Sequence, residues 1–140
     1  MILYCNFEEL GALKKGAEAL LAEAGSGPMP VAAPPEGREE AAALLPRLTG
    51  DLTIETLAEQ RRVHAAVAAI VGQLRESMDE AVVATHPGGE VAVASYFLYA
   101  HALSVLSRLE EMGQEMEALI EVVTGNRPTR AMAETFHFPS

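Results

Sequence analysis

A heptad pattern between residues 90 and 124 constrains the fold of this chain more than any other feature of its sequence. Apolar or small side chains recur there at alternating intervals of four and three residues. The positions are Val91, Ser95, Leu98, Ala102, Val105, Leu109, Met112, Met116, Leu119 and Val123. Such a pattern is typical of a helix that packs lengthwise, at a shallow angle, against a neighbouring helix. It predicts an all-α fold.

The preceding segment is predicted to be the partner of this helix. Residues 53–84 carry apolar side chains at three- and four-residue intervals, and Asp51 or Thr53 is placed to cap the helix. Pro87 and the two glycines after it interrupt the pattern, and so short a break joins antiparallel helices. We therefore expect a long antiparallel hairpin of about 53–84 and 90–124, in which the numbers of facing residues sum to roughly 173.

Two shorter helices are predicted before the hairpin. The first runs over about 7–24, because Asn6 followed by Glu9 has the spacing of a capping box. The second runs over about 37–48 and is bent or ended near Pro46, since proline lacks the amide hydrogen that a helix interior needs. Together with the hairpin, these helices form a bundle.

The remaining segments are predicted to be irregular parts of one helical domain, 1–140. Residues 25–36 are rich in Pro and Gly and form a linker, and residues 125–140 form a tail. Residues 2–5 and 135–138 are short β-prone pieces. They either pair as strands or lie as coil on the bundle, because two short strands are marginally stable alone.

Charge and cysteine content limit the classes of partner and compartment. Twenty acidic residues against ten basic ones give a net charge of −10, and this excludes a surface for duplex nucleic acid, which needs clustered Lys and Arg. The single cysteine, Cys5, excludes an intramolecular disulfide and fits a reducing compartment. The acidic start of the chain is unlike a signal peptide. We therefore expect a cytoplasmic protein.

The longest uncharged run, residues 91–107, is predicted to be buried in protein. Its seventeen residues are marginal for spanning a bilayer, and they include His101, three serines and two tyrosines. A helix packed inside a protein accommodates such side chains more readily than lipid does. No membrane partner is expected.

The length of the hairpin predicts self-association. Thirty-five helical residues span about 52 Å, whereas a compact 140-residue domain is about 37 Å across. A second copy is expected to cover the excess, with a dimer favoured, through apolar side chains opposite the heptad seam. The interface candidates are Tyr96, Tyr99, Leu103 and Leu106. The alternative is a monomeric bundle in which the two N-terminal helices cover this surface.

Acidic side chains crowd the second half of the last helix, where Arg108 is the only basic residue. The candidates for docking a basic protein partner are Glu110, Glu111, Glu115, Glu117 and Glu121. Complementary charge of this kind sets association rate and specificity. The alternative is a solvated face that keeps the protein soluble.

A polar group inside the apolar run is the candidate ligand pocket. Tyr96, Tyr99 and His101 lie close together in sequence, and the predicted register places Gly72 opposite His101, where it would make room for the imidazole. A small-molecule sensor would bind there. The alternative is a buried histidine whose hydrogen bonds are satisfied within the core.

Glu76 and Asp79 are the metal candidates. They lie one helical turn apart, a spacing that can hold a magnesium ion. The fragment Glu76–Ser–Met–Asp79 resembles one half-motif of the all-α nucleotide pyrophosphohydrolases, and the resemblance implies magnesium-dependent hydrolysis of nucleoside phosphates. The second pair of that family, Glu-Glu-x-x-Glu, is absent from this sequence. A solvated helix face is the alternative.

By elimination, the sequence favours a non-enzymatic interaction protein, either an adaptor or a structural subunit that self-associates through its long helices. No catalytic residue and no cofactor is assigned. The magnesium-dependent hydrolase and the small-molecule sensor are the alternatives.

Overall fold

The computed structural model describes residues 1–23, 37–84 and 89–139, and helices dominate it. In chain order the elements are β1 Ile2–Leu3, α1 Phe7–Glu23, α2 Arg38–Leu44 followed by a 3-10 turn Leu45–Arg47, β2 Leu52–Thr53, α3 Leu57–Ala84, α4 Glu90–Thr124 and α5 Arg130–Thr135. The predicted all-α bundle is confirmed. The predicted linker at 25–36 and most of the hairpin turn lie outside the described residues.

The start of α1 follows the predicted capping box. The backbone N–H of Asn6 donates to Oε1 of Glu9 over 2.9 Å, and the N–H of Glu9 donates to Oδ1 of Asn6 over 2.8 Å. These two bonds satisfy amide donors that have no partner within the first helical turn. The short helix α2 ends before Pro46, as predicted, and the proline lies in the 3-10 turn.

Helices α3 and α4 form the antiparallel hairpin close to the predicted register. The side-chain amide of Gln60 donates to the carbonyl oxygen of Leu109 over 2.7 Å, and His64 lies 3.5 Å from Glu110. Gln60 is buried against Gly113. A Cβ added to Gly113 would lie 2.6 Å from the Nε2 atom of Gln60. The glycine therefore leaves the space in which this polar side chain fits between the two helices.

The heptad seam of α4 is buried in its middle and departs from the prediction at its ends. The segment from Ala102 to Met116 faces the core, but Val91, Leu119 and Val123 are exposed, and Ala92 and Ile120 are buried instead. An α-helix has 3.6 residues per turn, so a strict heptad drifts by about 20° per repeat. In the predicted register α3 begins opposite residue 116, which leaves Val123 beyond the end of its neighbour.

The N-terminal strand pairs with a segment that the sequence analysis assigned to the start of a helix. Ile2 faces Thr53 and Leu3 faces Leu52 in an antiparallel pair. The tail lies beside the same segment, since the N–H of Phe138 donates to the carbonyl of Glu55 over 2.7 Å. The two β-prone ends thus do not pair as strands with each other, and both lie beside residues 52–55.

Helix α3 consequently begins later than predicted. Its cap is Thr56, whose Oγ1 accepts the N–H of Glu59 over 3.1 Å, so the predicted caps Asp51 and Thr53 are wrong. Asp51 instead accepts the N–H of Cys5 over 3.0 Å. A contact between residues far apart in sequence overrides the local capping signal here.

The tail is also more regular than predicted, because α5 occupies part of it. Oγ1 of Thr129 accepts the N–H of Met132 over 3.2 Å and caps this short helix. Ala133 and Phe138 are buried, and they extend the core at the end of the bundle where the termini lie.

Helices α1 and α2 cover only part of the hairpin. Helix α1 packs against both α3 and α4, and an added Cβ at Gly16 would lie 2.5 Å from Cγ2 of Ile70. Helix α2 packs on α3. Gly37, which precedes α2, has a φ of +84°, and a Cβ added to it would lie 2.6 Å from the carbonyl oxygen of Ala65 in α3. The outward side of α4 remains uncovered by these elements.

Candidate interaction surface

Four residues on the outward side of α4 form an apolar stripe, defined here as Val93, Tyr96, Ala100 and Leu103. All four lie about 120–180° around the helix from the fully buried Leu109. Val93 is 43% exposed, Tyr96 56% and Leu103 38%. The four positions repeat at intervals of three, four and three residues, which is the spacing of a packing seam. Helix α4 therefore has a second seam opposite the first.

Two of the four predicted interface residues belong to the apolar stripe and two do not. Tyr99 and Leu106 are partly buried against the core, so the expectation that they lie opposite the heptad seam is wrong. They lie about 60–80° around α4 from the fully buried Leu109, which places them on its flank. Val93 was not among the predicted interface residues, although its spacing from Tyr96 and Leu103 in the sequence follows the same pattern.

The apolar surface extends from the stripe to the hairpin end of the bundle. Phe97 is exposed beside Tyr96, with the ring centroids 6.0 Å apart in an edge-on contact. Val82, Val83 and Val91 are exposed at the same end. Clusters of exposed apolar side chains are typical of interaction surfaces.

Helix α4 is also notable for its hydropathy. Among the described residues, one helix, Glu90–Thr124, is long and apolar enough to cross a membrane on length and composition alone. Its most apolar stretch has a mean hydropathy of 1.2, and 17% of that stretch is buried. The prediction that the uncharged run is buried in protein is therefore wrong for the single chain.

The second half of α4 carries the five predicted docking glutamates, all of them exposed. Arg61 lies 3.5 Å from Glu117, and His64 lies 3.5 Å from Glu110. The exposed ion pair between Arg61 and Glu117 contributes at most about 1 kcal/mol. Glu111 and Glu115 instead line a cavity of about 390 Å³ beneath the N-terminal strand. The acidic side chains thus lie on two sides of the helix.

An ion pair between Glu9 and Arg108 ties α1 to α4. Nη1 of Arg108 lies 2.8 Å from Oε2 of Glu9, whose side chain is 6% exposed. Nη2 of Arg108 also donates to the carbonyl of Tyr4 over 2.9 Å. Burial on its own would raise the pKa of Glu9, but hydrogen bonds from Arg108 and from the N–H of Asn6 outweigh it and lower the pKa. The sequence contains no signal for this contact.

Cys5 lies beside the ion pair but is not an activated nucleophile. Burial raises the pKa of its thiol, and the nearby Arg108 guanidinium offsets only part of that effect. The thiol is therefore protonated near neutral pH, whereas a reactive cysteine needs a lowered pKa. Its surroundings favour a structural role.

The residues of the predicted ligand pocket do not face one another. Tyr96 and His101 lie about 140° apart around α4. His101 is half-buried, while Tyr99 packs against the core. An added Cβ at Gly72 would meet nothing within 4 Å, so the expectation that this glycine makes room for the imidazole is wrong. Ligand binding at these residues stays a prediction.

The predicted metal ligands Glu76 and Asp79 are exposed on α3. The described residues contain no group of three or more His, Cys, Asp or Glu side chains arranged to hold a metal ion. A separate cavity of about 360 Å³ between α2 and α3 combines acidic and basic side chains. They are Glu39, Glu40, Glu59, Arg47 and Arg62. Magnesium binding at Glu76 and Asp79 stays a prediction.

Comparison with known proteins adds no family assignment. No family model, no curated protein and no solved structure matches this chain.

Proposed function

We propose that this protein acts in the cytoplasm by binding other proteins rather than by catalysis, and that it self-associates as a dimer through the apolar stripe of α4. The observation that carries the proposal is the exposure of Val93, Tyr96 and Leu103, at seam spacing, on a side of α4 that the described residues leave uncovered. Exposed apolar side chains at seam spacing are typical of a helix that packs against a partner.

The acidic half of α4 supports a further role in binding a basic protein partner. Glu110, Glu117 and Glu121 are exposed within about 40° of one another around α4. Among the described residues, Arg61 and His64 are the basic side chains within 4 Å of Glu117 and Glu110. A surface of one charge sign accelerates association with a partner of the opposite sign. Self-association through the stripe and docking through the glutamates use different halves of one helix.

The solution mass tests the self-association. Light scattering after size exclusion is expected to give about twice the chain mass of 14.9 kDa. The double variant Tyr96→Ala/Leu103→Ala removes two central apolar side chains from each copy, so the dissociation constant is expected to rise at least about 100-fold. The matched control is Val122→Ala/Val123→Ala, since both valines are exposed on α4 outside the stripe.

The control variant is expected to keep the mass of the wild type. A wild-type protein that is monomeric at 100 µM or above, roughly the range in which weak assemblies form, would contradict the proposal. Equal masses for the two double variants would contradict the assignment of the surface to the stripe.

Native mass spectrometry of the untagged protein, gently purified from its host, tests the partner. We expect a second polypeptide whose retention falls with added salt and in the variant Glu110→Gln/Glu117→Gln/Glu121→Gln. A homo-oligomer that carries magnesium or a small molecule would instead favour the hydrolase or the sensor. In that case the added mass identifies the ligand.

A further inference from the structure

We infer that the two copies pack their α4 helices antiparallel, with the two-fold axis at the level of residue 98. This inference rests on the proposed self-association through the apolar stripe and adds its geometry. Tyr96 then lies against Ala100 of the partner subunit, and Val93 lies against Leu103 of the partner subunit. The two-fold symmetry generates each of these pairs twice.

The sizes of the stripe side chains favour this arrangement. The stripe alternates Val93, Tyr96, Ala100 and Leu103, so an antiparallel pairing about residue 98 places the largest side chain opposite the smallest. A parallel pairing would place two tyrosines opposite each other and two alanines opposite each other. The alanine layer would leave a gap and the tyrosine layer would be crowded, and both cost stability at an interface that is packed as densely as a protein core.

The charge distribution along α4 favours the same arrangement. In a parallel pair Glu110, Glu117 and Glu121 of each copy would lie opposite their equivalents, on a chain whose net charge is already −10. Like charges at such distances are destabilising. In the antiparallel pair Glu110 falls level with the hairpin end of the partner, so the two acidic halves extend away from each other in opposite directions. They stay free to bind a basic protein.

The neighbouring face of α3 leaves room for a second helix. Arg61 contacts Glu117 on the flank of α4, so this face of α3 lies beside the flank next to the stripe. Gly72 lies about 20° around α3 from Arg61. It is exposed, and an added Cβ would meet nothing within 4 Å. A helix that packs on the stripe can therefore approach the hairpin without a clash at this point.

The spacing between spin labels at Gln114 distinguishes the two orientations. Gln114 is exposed and continues the line of the stripe, sixteen residues beyond the axis. At 1.5 Å per residue, two labels are expected about 48 Å apart in the antiparallel dimer, against about 10 Å for parallel helices in contact. The variant is Gln114→Cys in a Cys5→Ser background, labelled with a nitroxide and measured by double electron–electron resonance after its dimeric mass is confirmed.

A distance near 48 Å supports the inference. Loss of that distance signal in the Tyr96→Ala/Leu103→Ala background would indicate that the stripe forms the contact between the two copies. A dimer with labels within about 20 Å overturns the antiparallel geometry and leaves the proposed self-association intact. A monomer overturns both the antiparallel geometry and the proposed self-association. A monomer that sediments with phospholipid vesicles would in addition assign the apolar surface to membrane binding.

Disulfide trapping gives a second measurement that does not depend on the label. Val93→Cys and Leu103→Cys are made separately without Cys5, mixed in equal amounts and oxidised. The antiparallel dimer is expected to yield the mixed disulfide at least ten-fold over either self-linked product. Predominant self-linking of each variant overturns the inference.

Discussion

Replacing Glu9 with Gln tests the contact that ties the N-terminal segment to the long hairpin. The Glu9 side chain is 6% exposed, and Nη1 of Arg108 lies 2.8 Å from its Oε2 atom. Its other oxygen accepts the N–H of Asn6 over 2.9 Å. Glutamine keeps the size of the side chain and, through its single oxygen, the capping bond, so the substitution removes the charge and the acceptor that faces Arg108.

The expected loss in the free energy of unfolding is about 2 kcal/mol at pH 7. A hydrogen bond to a charged group is worth about 1.5–3 kcal/mol, and breaking a fully buried ion pair costs about 3–5 kcal/mol. Arg108 is 38% exposed, so water solvates its guanidinium when the carboxylate is removed. The lower of the two ranges, about 1.5–3 kcal/mol, therefore applies. For a chain of this size the midpoint of thermal unfolding should fall by about 7 °C.

The loss should depend on pH, because the pKa of Glu9 is lower in the folded protein than in the unfolded chain. A carboxyl group with a lowered pKa stabilises the fold above its unfolded pKa, about 4.3 for Glu, and this contribution disappears as the pH falls through the folded value. The difference between wild type and Glu9→Gln should therefore be largest at pH 6–7 and narrow progressively below about pH 4.3. Urea unfolding followed by circular dichroism, at one protein concentration, measures it.

Glu8→Gln is the matched control, because Glu8 is exposed in the same turn of α1. Its effect should stay within about 0.5 kcal/mol. The reasoning is refuted if the two variants unfold alike at pH 7. It is also refuted if the gap between Glu9→Gln and wild type is the same at pH 3 as at pH 7.

The remaining predictions concern backbone space and the thiol. Gly16→Ala should destabilise the fold by about 1–3 kcal/mol, because its Cβ would lie 2.5 Å from Ile70, and an unchanged urea midpoint would contradict this. Gly72→Ala should stabilise the fold by up to about 1 kcal/mol, since the new methyl group has open space and alanine favours the helix. A urea midpoint below that of the wild type would contradict this. Cys5 should react with iodoacetamide more slowly at pH 8 than an unstructured cysteine peptide, with its rate rising at higher pH; matching pH profiles would contradict a raised pKa.

The long hairpin and the capping box were predictable because their signals are local. Two helices that share an apolar seam show it as a three- and four-residue periodicity, and the capping bonds join Asn6 and Glu9, three residues apart. The ends of the α4 seam were less predictable, since whether Val123 is buried depends on where α3 begins. That boundary depends in turn on the pairing of Leu52–Thr53 with the N-terminal strand.

The candidate surface was predictable in part for the same reason. Tyr96 and Leu103 were identified from their helical positions, whereas Tyr99 and Leu106 lie on a flank that packs against the core. Periodicity gives the angular position of a side chain around its own helix, but it does not give the width of the arc that the neighbouring helices cover. The contact between Glu9 and Arg108 left no trace in the sequence, because nothing local relates residues so far apart.

Local periodicity and capping chemistry were thus sufficient for the type, order and approximate length of the helices, because these depend on interactions within a few residues along the chain. The partner of the N-terminal strand, the start of α3, the salt bridge beneath that strand and the uncovered side of α4 depend on which distant segments meet. Such contacts are selected by packing of the whole chain, and the same packing leaves the apolar stripe exposed to a second molecule.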